Sequence, residues 1–230
     1  MKLLAIETSS ERGSVALLAD EAVYFDTAEL SEQHSRWCLP AVRRLLDRHA
    51  VSLRGLDAIA YGAGPGSFTG LRLACGVAQG LAFGAGLPVV GVCSLEALAL
   101  GTERERCYVA VDARMGEVYF AAYRIVGTSI ETEIAPGVAA PSQVTLPEGG
   151  GWHGCGTGFA SYADALTRRL AASIATNDGS AVPHAVHLAR LAAVRVASGA
   201  VQDAAGAQPL YIRDKVALTT DERLARGGRA

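Results

Sequence analysis

The sequence predicts an α/β protein of two similar lobes, each a mixed sheet flanked by helices. Three observations carry this reading. Short apolar runs joined by tight turns alternate with helical patterns over the first hundred residues. The same order of elements starts again, less fully, beyond a junction at residues 101–106. The 230 residues are 50% hydrophobic and 19% charged, enough to bury a real core and too apolar for a disordered chain.

Lys2 to Ile6 is the first apolar run. Glu11-Arg12-Gly13 turns the chain into a second strand, Ser14 to Leu18, and Asp20-Glu21 turns it into a third, Ala22 to Ala28. Sequential strands with short turns predict an antiparallel meander. Ser31 opens a helical region reaching about His49, with Trp37, Leu39, Val42, Leu45 and Leu46 on one broad face. Pro40 lies inside it and predicts either a kink or a late start to the regular helix. Asp57 to Tyr61 is a fourth strand. A glycine-rich loop follows, with Ser67 placed to cap a helix running toward Phe83. Pro88 to Cys93 is a fifth strand, and Ser94 is placed to cap a short helix carrying Leu95, Leu98 and Ala99. Three strands, helix, strand, helix, strand, helix fits a ribonuclease-H-like lobe.

In the second half, Cys107 to Val111 ends at Asp112, and Ala113 to Gly116 turns the chain. Val118 to Val126 and Ile130 to Ala135 pair around Gly127-Thr128-Ser129. A loop from Pro136 to Pro147 leads to the glycine-rich stretch Gly149 to Gly158. Helices are expected from Phe159 to about Ser173 and from His184 to about Ser198. Residues 1–105 are thus a first lobe. Residues 106–215 are a second, reduced lobe whose C-terminal segment can return to the first. Residues 216–230 are expected to be a flexible tail.

The net charge of -2 disfavours a stand-alone, non-specific nucleic-acid binder, which needs positive surface to displace counterions. Cys38, Cys75, Cys93, Cys107 and Cys155 form no CxxC pair. An odd set of scattered thiols suits a reducing compartment, so a cytoplasmic location is expected. The N-terminal run meets Glu7 too soon for a signal peptide. Leu73 to Leu95 carries no charge and is long enough to span a bilayer. Four glycines and Pro88 interrupt it, so a buried helix followed by a buried strand is the better reading, and no membrane role is expected.

The densest chemical signal is Gly62-Ala63-Gly64-Pro65-Gly66-Ser67-Phe68-Thr69-Gly70-Leu71-Arg72, between a strand and a helix. Its glycines permit close backbone approach, and amides at the helix start, with Arg72, could hold an anion. It is neither a P-loop nor a nucleophile elbow: no Lys-Ser/Thr pair follows the glycines, and Pro65 stands where the elbow needs its first glycine. A structural loop that packs two elements closely is the preferred reading of these residues taken alone. Glu7-Thr8-Ser9-Ser10 at the end of the first strand could contact phosphate or a hydrated metal, or form a polar turn. Asp112 ends the first strand of the second half in the matching place, so Glu7 and Asp112 could face one cleft. His184 and His187 share a helix start but are too few for a metal site. His34 reads equally as a local hydrogen-bonding or interface residue or as a base. Arg43, Arg44 and Arg48 are a solvated helix surface or a contact for an acidic partner or RNA.

Several of these segments together resemble the bacterial TsaB (YeaZ) family. They are Ile6-Glu7-Thr8-Ser9, Gly13 with Ser14 to Leu18, His34-Ser35 with Leu39-Pro40, and Gly62 to Arg72. Ser94 to Leu98, Asp112 to Tyr119 and Pro209-Leu210-Tyr211-Ile212-Arg213 extend the likeness over nearly the whole chain. The resemblance implies a two-lobed ASKHA (actin-like) protein in tRNA modification. It implies partnership with a catalytic TsaD subunit and a TsaE ATPase in moving a threonylcarbamoyl group to N6 of adenosine 37. It implies no catalytic residue and no metal here, because Ser94 and Leu98 stand where the catalytic subunit has its two metal-binding histidines. It also implies that Glu7, Thr8, Ser9, Gly66, Arg72 and Asp112 line a degenerate nucleotide cleft. No cofactor would be held tightly, with ATP or ADP near the partner interface. His34, Trp37, Arg44, Leu71, Ala74, Val77 and Ala78 would form the partner surface, or a homodimer surface when the partner is absent. A small ASKHA-type nucleotide hydrolase or phosphotransferase, motivated by Glu7, the glycine-rich loop and Asp112, remains open, as does a homodimeric binding module.

Overall fold

The computed structural model describes residues 1–30, 32–127 and 129–213. Ser31, Thr128 and the expected tail at 216–230 lie outside the described residues. In the first lobe, β1 (Lys2–Glu7), β2 (Ser14–Ala19) and β3 (Ala22–Thr27) form the expected antiparallel meander. After α1 (His34–Arg48), β4 (Ala58–Gly64) pairs parallel to β1. After α2 (Phe68–Ala85), β5 (Val89–Cys93) pairs parallel to β4, and α3 (Ser94–Gly101) follows it directly. The sheet order is β3-β2-β1-β4-β5.

The second lobe repeats this topology. β6 (Arg106–Asp112), β7 (Val118–Val126) and β8 (Ser129–Ala139) are the meander. β9 (Trp152–Cys155) pairs parallel to β6, and β10 (Ile174–Asp178) parallel to β9, with α4 (Gly158–Ser161) and α5 (Ala163–Leu170) between them. The order β10-β9-β6-β7-β8 is that of the first lobe. α6 (Ala185–Ala197) closes the series. The lobe is reduced in one place: a single 3-10 turn, Pro141–Gln143, replaces the helix between the third and fourth strands.

Strict alternation in β1 builds the layers, because successive side chains face opposite sides of a strand. Leu4 and Ile6 face a core closed by Trp37, Val42 and Leu45 of α1 and by Ala74, Ala78 and Ala82 of α2. Leu3 and Ala5 face the other way, onto Leu188, Ala189 and Ala192 of α6. In the second sheet, Tyr108 and Ala110 pack on Phe159, Leu166 and Leu170, while Cys107 and Val109 pack on Leu95 and Leu98 of α3. α3 and α6 therefore form a shared layer between the sheets, and the Ala185 amide at the start of α6 donates to Ser14 Oγ in the first lobe (2.9 Å).

Several expectations change in detail. α1 runs through Pro40, which lies on the exposed side, where water can serve the carbonyl left unpaired. The expected glycine-rich loop begins later, since Gly62 to Gly64 still belong to β4. Ser67 does cap α2, accepting from the Gly70 amide (3.4 Å), and Gly86 ends it in the left-handed region at φ 70°. Ser94 does not cap α3; Cys93 holds that position, and the Ser94 hydroxyl is used elsewhere. The expected helix from Phe159 to Ser173 breaks at Tyr162 and stops at Leu170, and β10 follows. β10 is mostly exposed and polar, so no apolar alternation announced it.

Leu45 is 1% exposed in the first-lobe core, so Leu45→Ala should cost about 2–5 kcal/mol in denaturant unfolding. A Cβ at Gly70 would collide with the Thr8 carbonyl oxygen, a backbone atom that cannot swing away. Gly70→Ala should therefore cost about 3 kcal/mol in the same assay, despite its helical position.

Candidate functional site: the interlobe cleft

The two meanders end on opposite walls of a cleft of about 780 Å³. The first lobe contributes Ser9, Glu11 and the start of α2 at Gly66 and Ser67. The second contributes Asp112, Arg114 and Thr157. Close backbone packing shapes the first wall. The Ser67 amide donates to the Ser9 carbonyl (2.8 Å), and Thr8 Oγ1 donates to the Gly70 carbonyl (2.7 Å). A Cβ on Gly66 would lie 2.6 Å from the Ser9 carbonyl oxygen. The glycines of this stretch thus meet a packing need.

Asp112 is held from several directions. Tyr162 donates its hydroxyl (3.0 Å) and Arg114 its backbone amide (2.7 Å) to Asp112 Oδ1. The Asp112 amide donates to Thr157 Oγ1 (3.1 Å). Arg114 and Met115 adopt left-handed φ values of 61° and 57°, followed by Gly116 at 80°. Side-chain-bearing residues rarely adopt such a conformation, and here it holds the turn against the cleft. The Arg114 guanidinium lies 3.4 Å from Asp112 Oδ2 and also 3.4 Å from Glu11 Oε1 of the other lobe.

The expected cleft residues separate. Ser9, Gly66 and Asp112 line it; Glu7, Thr8 and Arg72 do not. Glu7 is fully buried. Its carboxylate accepts from the Ser9 amide (2.7 Å) and from Ser94 Oγ (2.8 Å), tying β1 to α3. Burial pushes its carboxyl above the usual range, against the lowering effect of those hydrogen bonds. Thr8 is equally buried. Arg72 turns away to donate to Tyr211 Oη (3.2 Å) and to cover the Phe68 ring at 3.8 Å.

The expected partner surface separates too. Trp37, Leu71, Ala74 and Ala78 are buried within this chain, the last two against the first sheet. Val77 is half-buried. Arg44 is exposed and pairs with Asp26 (2.9 Å). His34 lines the cleft and donates Nε2–H to the Glu11 carbonyl (3.2 Å). Leu98 is buried, and its Ser94 neighbour is spent on Glu7. Among the described residues no three His, Cys, Asp or Glu side chains converge as metal ligands. Among them too, no helix is long and apolar enough to cross a membrane. Of the other cleft residues, Glu11 read only as part of a turn, while Arg114, Thr157 and Arg213 lay in the Asp112–Tyr119, Gly154–Gly158 and Pro209–Arg213 segments without being singled out.

Two lobes of one topology, closing on a cleft between matching strand ends, define a protein of the ASKHA class. Residues 28–219 match the family described as TsaD: tRNA N6-adenosine threonylcarbamoyltransferase. The chain is 36% identical over 228 residues to the tRNA threonylcarbamoyladenosine biosynthesis protein TsaB of Escherichia coli K12, covering 94% of this chain and 96% of that one. It is 34% identical to the protein of the same name from Haemophilus influenzae, covering 94% and 95%. YeaZ from Pseudomonas aeruginosa superposes with a TM-score of 0.84 at 38% identity, covering 91% of this chain and 99% of that one. The chain belongs to the TsaB (YeaZ) family.

The folded protein holds the Glu7 proton more tightly than the unfolded chain does. The resulting stability is full below pH about 4.5 and is lost as pH rises through the raised native value. Denaturant unfolding at pH 5 and pH 8 should therefore show wild type losing stability relative to Glu7→Gln at the higher pH. A pH-independent difference between the two would refute this.

Proposed function

We propose that this chain is a non-catalytic subunit in the biosynthesis of threonylcarbamoyladenosine in tRNA. Its partners would be a TsaD-type transferase and a TsaE-type ATPase. The transferase would move the threonylcarbamoyl group from its adenylate to N6 of adenosine 37, and tRNA would be met through the complex. ATP or ADP would sit near the subunit interface, with Ser9, Gly66 and Asp112 as the cleft residues of this chain nearest to it. Relatives across 94% of the chain carry the biosynthetic name, which supports the pathway. The five cysteines are buried and form no disulfide, which suits the cytoplasm.

One observation carries the subunit role. Gly76, Gly80 and Gly84 stand inside α2, where each glycine costs about 1 kcal/mol relative to alanine. Among the described residues, a Cβ at any of them would meet nothing within 4 Å, so packing among those residues does not require them. Phe83 beside them is 81% exposed. Small residues on an uncovered face let a second helix approach closely, and that approach offsets their cost. This face of α2, with the exposed Leu39 of α1, is the proposed docking surface.

The decisive experiment reconstitutes tRNA modification from the TsaD-type and TsaE-type proteins with and without this chain, with light scattering to give the mass of each complex. Modification should require this chain and should be absent with this chain alone; robust modification by the purified single chain would sink the proposal. Gly80→Arg should melt like wild type, because the site is open, and should weaken partner binding by 100-fold or more. Light scattering of the free chain shows whether a second copy uses the same face.

A further inference from the structure

The Pro209–Arg213 motif plays no part in the cleft chemistry described above, yet it crosses from one lobe to the other. Its first end is anchored in buried ground. Tyr61, 1% exposed, donates its hydroxyl to the Gln208 carbonyl (3.1 Å) and accepts from the Gln208 amide (3.0 Å). The Leu210 amide donates to the Ala63 carbonyl of β4 (2.7 Å). Midway, Tyr211 accepts from Arg72 and lies 6.2 Å from Phe68, both in the first turns of α2. The far end is fastened to the second lobe. Arg213 pairs with Glu117 Oε2 (2.5 Å) and lies over the Tyr119 ring (5.8 Å). Leu210 to Arg213 all line the cleft.

We propose that residues 208–213 are a strap across the cleft mouth that sets the spacing of the lobes and ties that spacing to α2. The two ends differ in kind. The first-lobe end is three hydrogen bonds, two through the buried Tyr61 hydroxyl and one between backbones, whereas the second-lobe end is a single ion pair with Arg213 14% and Glu117 39% exposed. One ion pair with a half-exposed carboxylate is a weaker fastening than those three bonds, so this end is the one that releases. α3, which packs on both sheets and does not line the cleft, is the hinge opposite the strap. Anything that binds only the closed arrangement shifts the population toward it. The Arg72–Tyr211 contact carries the state of the strap to α2, and this link to a partner rests on the docking role proposed above.

The test places nitroxide labels at Arg54→Cys in the first lobe and Arg168→Cys in the second, both exposed positions. The native cysteines are buried and so shielded from the label. Pulsed electron resonance of the full chain should give one narrow distance distribution. Arg213→Glu should broaden it toward longer distances, and adding Glu117→Arg should restore it. An unchanged distribution in Arg213→Glu, or a swap that fails to restore it, overturns the strap. Should Arg213→Glu lose its cooperative melt, Arg213→Gln makes the same test without charge repulsion. For the link to α2, Arg213→Glu should weaken binding to the TsaD-type protein at least tenfold, with recovery in the swap; unchanged affinity with opened lobes overturns it. If wild type binds no such partner, the functional reading fails while the distance measurement still decides the strap.

Discussion

A sheet in the middle of an α/β lobe has two apolar faces, and both must be covered. The first lobe supplies two helices for one face only, since α1 and α2 both pack against Leu4, Ile6, Val15 and Leu17. The opposite face, with Leu3, Ala5, Ala58 and Val90, is closed chiefly by α6, which lies beyond the whole second sheet in the chain. α3 makes the reciprocal move, leaving β5 to pack against β6 and β7. Neither lobe completes its core from its own residues, and this exchange governs much else in the molecule.

The exchange places the polar machinery. With α3 pinned between the sheets, its first residue comes against the end of β1, and Ser94 meets the buried carboxylate of Glu7. Hydrogen bonds from Ser9 and Ser94 leave that group partnered, which keeps its burial tolerable. The matching ends of β1 and β6 then face each other across a gap that no helix fills. Asp112 and the strained Arg114–Gly116 turn occupy one wall, and the packed glycines before α2 occupy the other. Charge crosses the gap at Arg114 and Glu11.

The same logic separates inside from outside on α2. Ala74, Ala78 and Ala82 are small because the sheet lies close beneath them. Gly76, Gly80 and Gly84 are small on the opposite side, where none of the described residues comes within 4 Å of a Cβ. In sequence the two sets are interleaved and look alike. Only their position relative to the sheet separates residues packed on this chain from residues left open.

Local pattern was enough for the meanders, for α1, α2 and α6, for the Ser67 cap and for the repeat of lobes. Each depends on neighbours in the chain or on a short apolar period. The family was legible as well, because its motifs are strings of contiguous residues. Local pattern failed where an element draws its stability from distant partners. β10 is polar and mostly exposed, and β9 holds it. Glu7 and Thr8 read as cleft residues until packing buried them. Trp37 and Ala74 read as an interface until α1 and α2 turned them toward the sheet. Tyr61 and Gln208, or Glu117 and Arg213, are separated by long stretches of chain. Periodicity reports which face a residue takes, but burial and pairing depend on what arrives at that face, and only the assembled tertiary structure settles that.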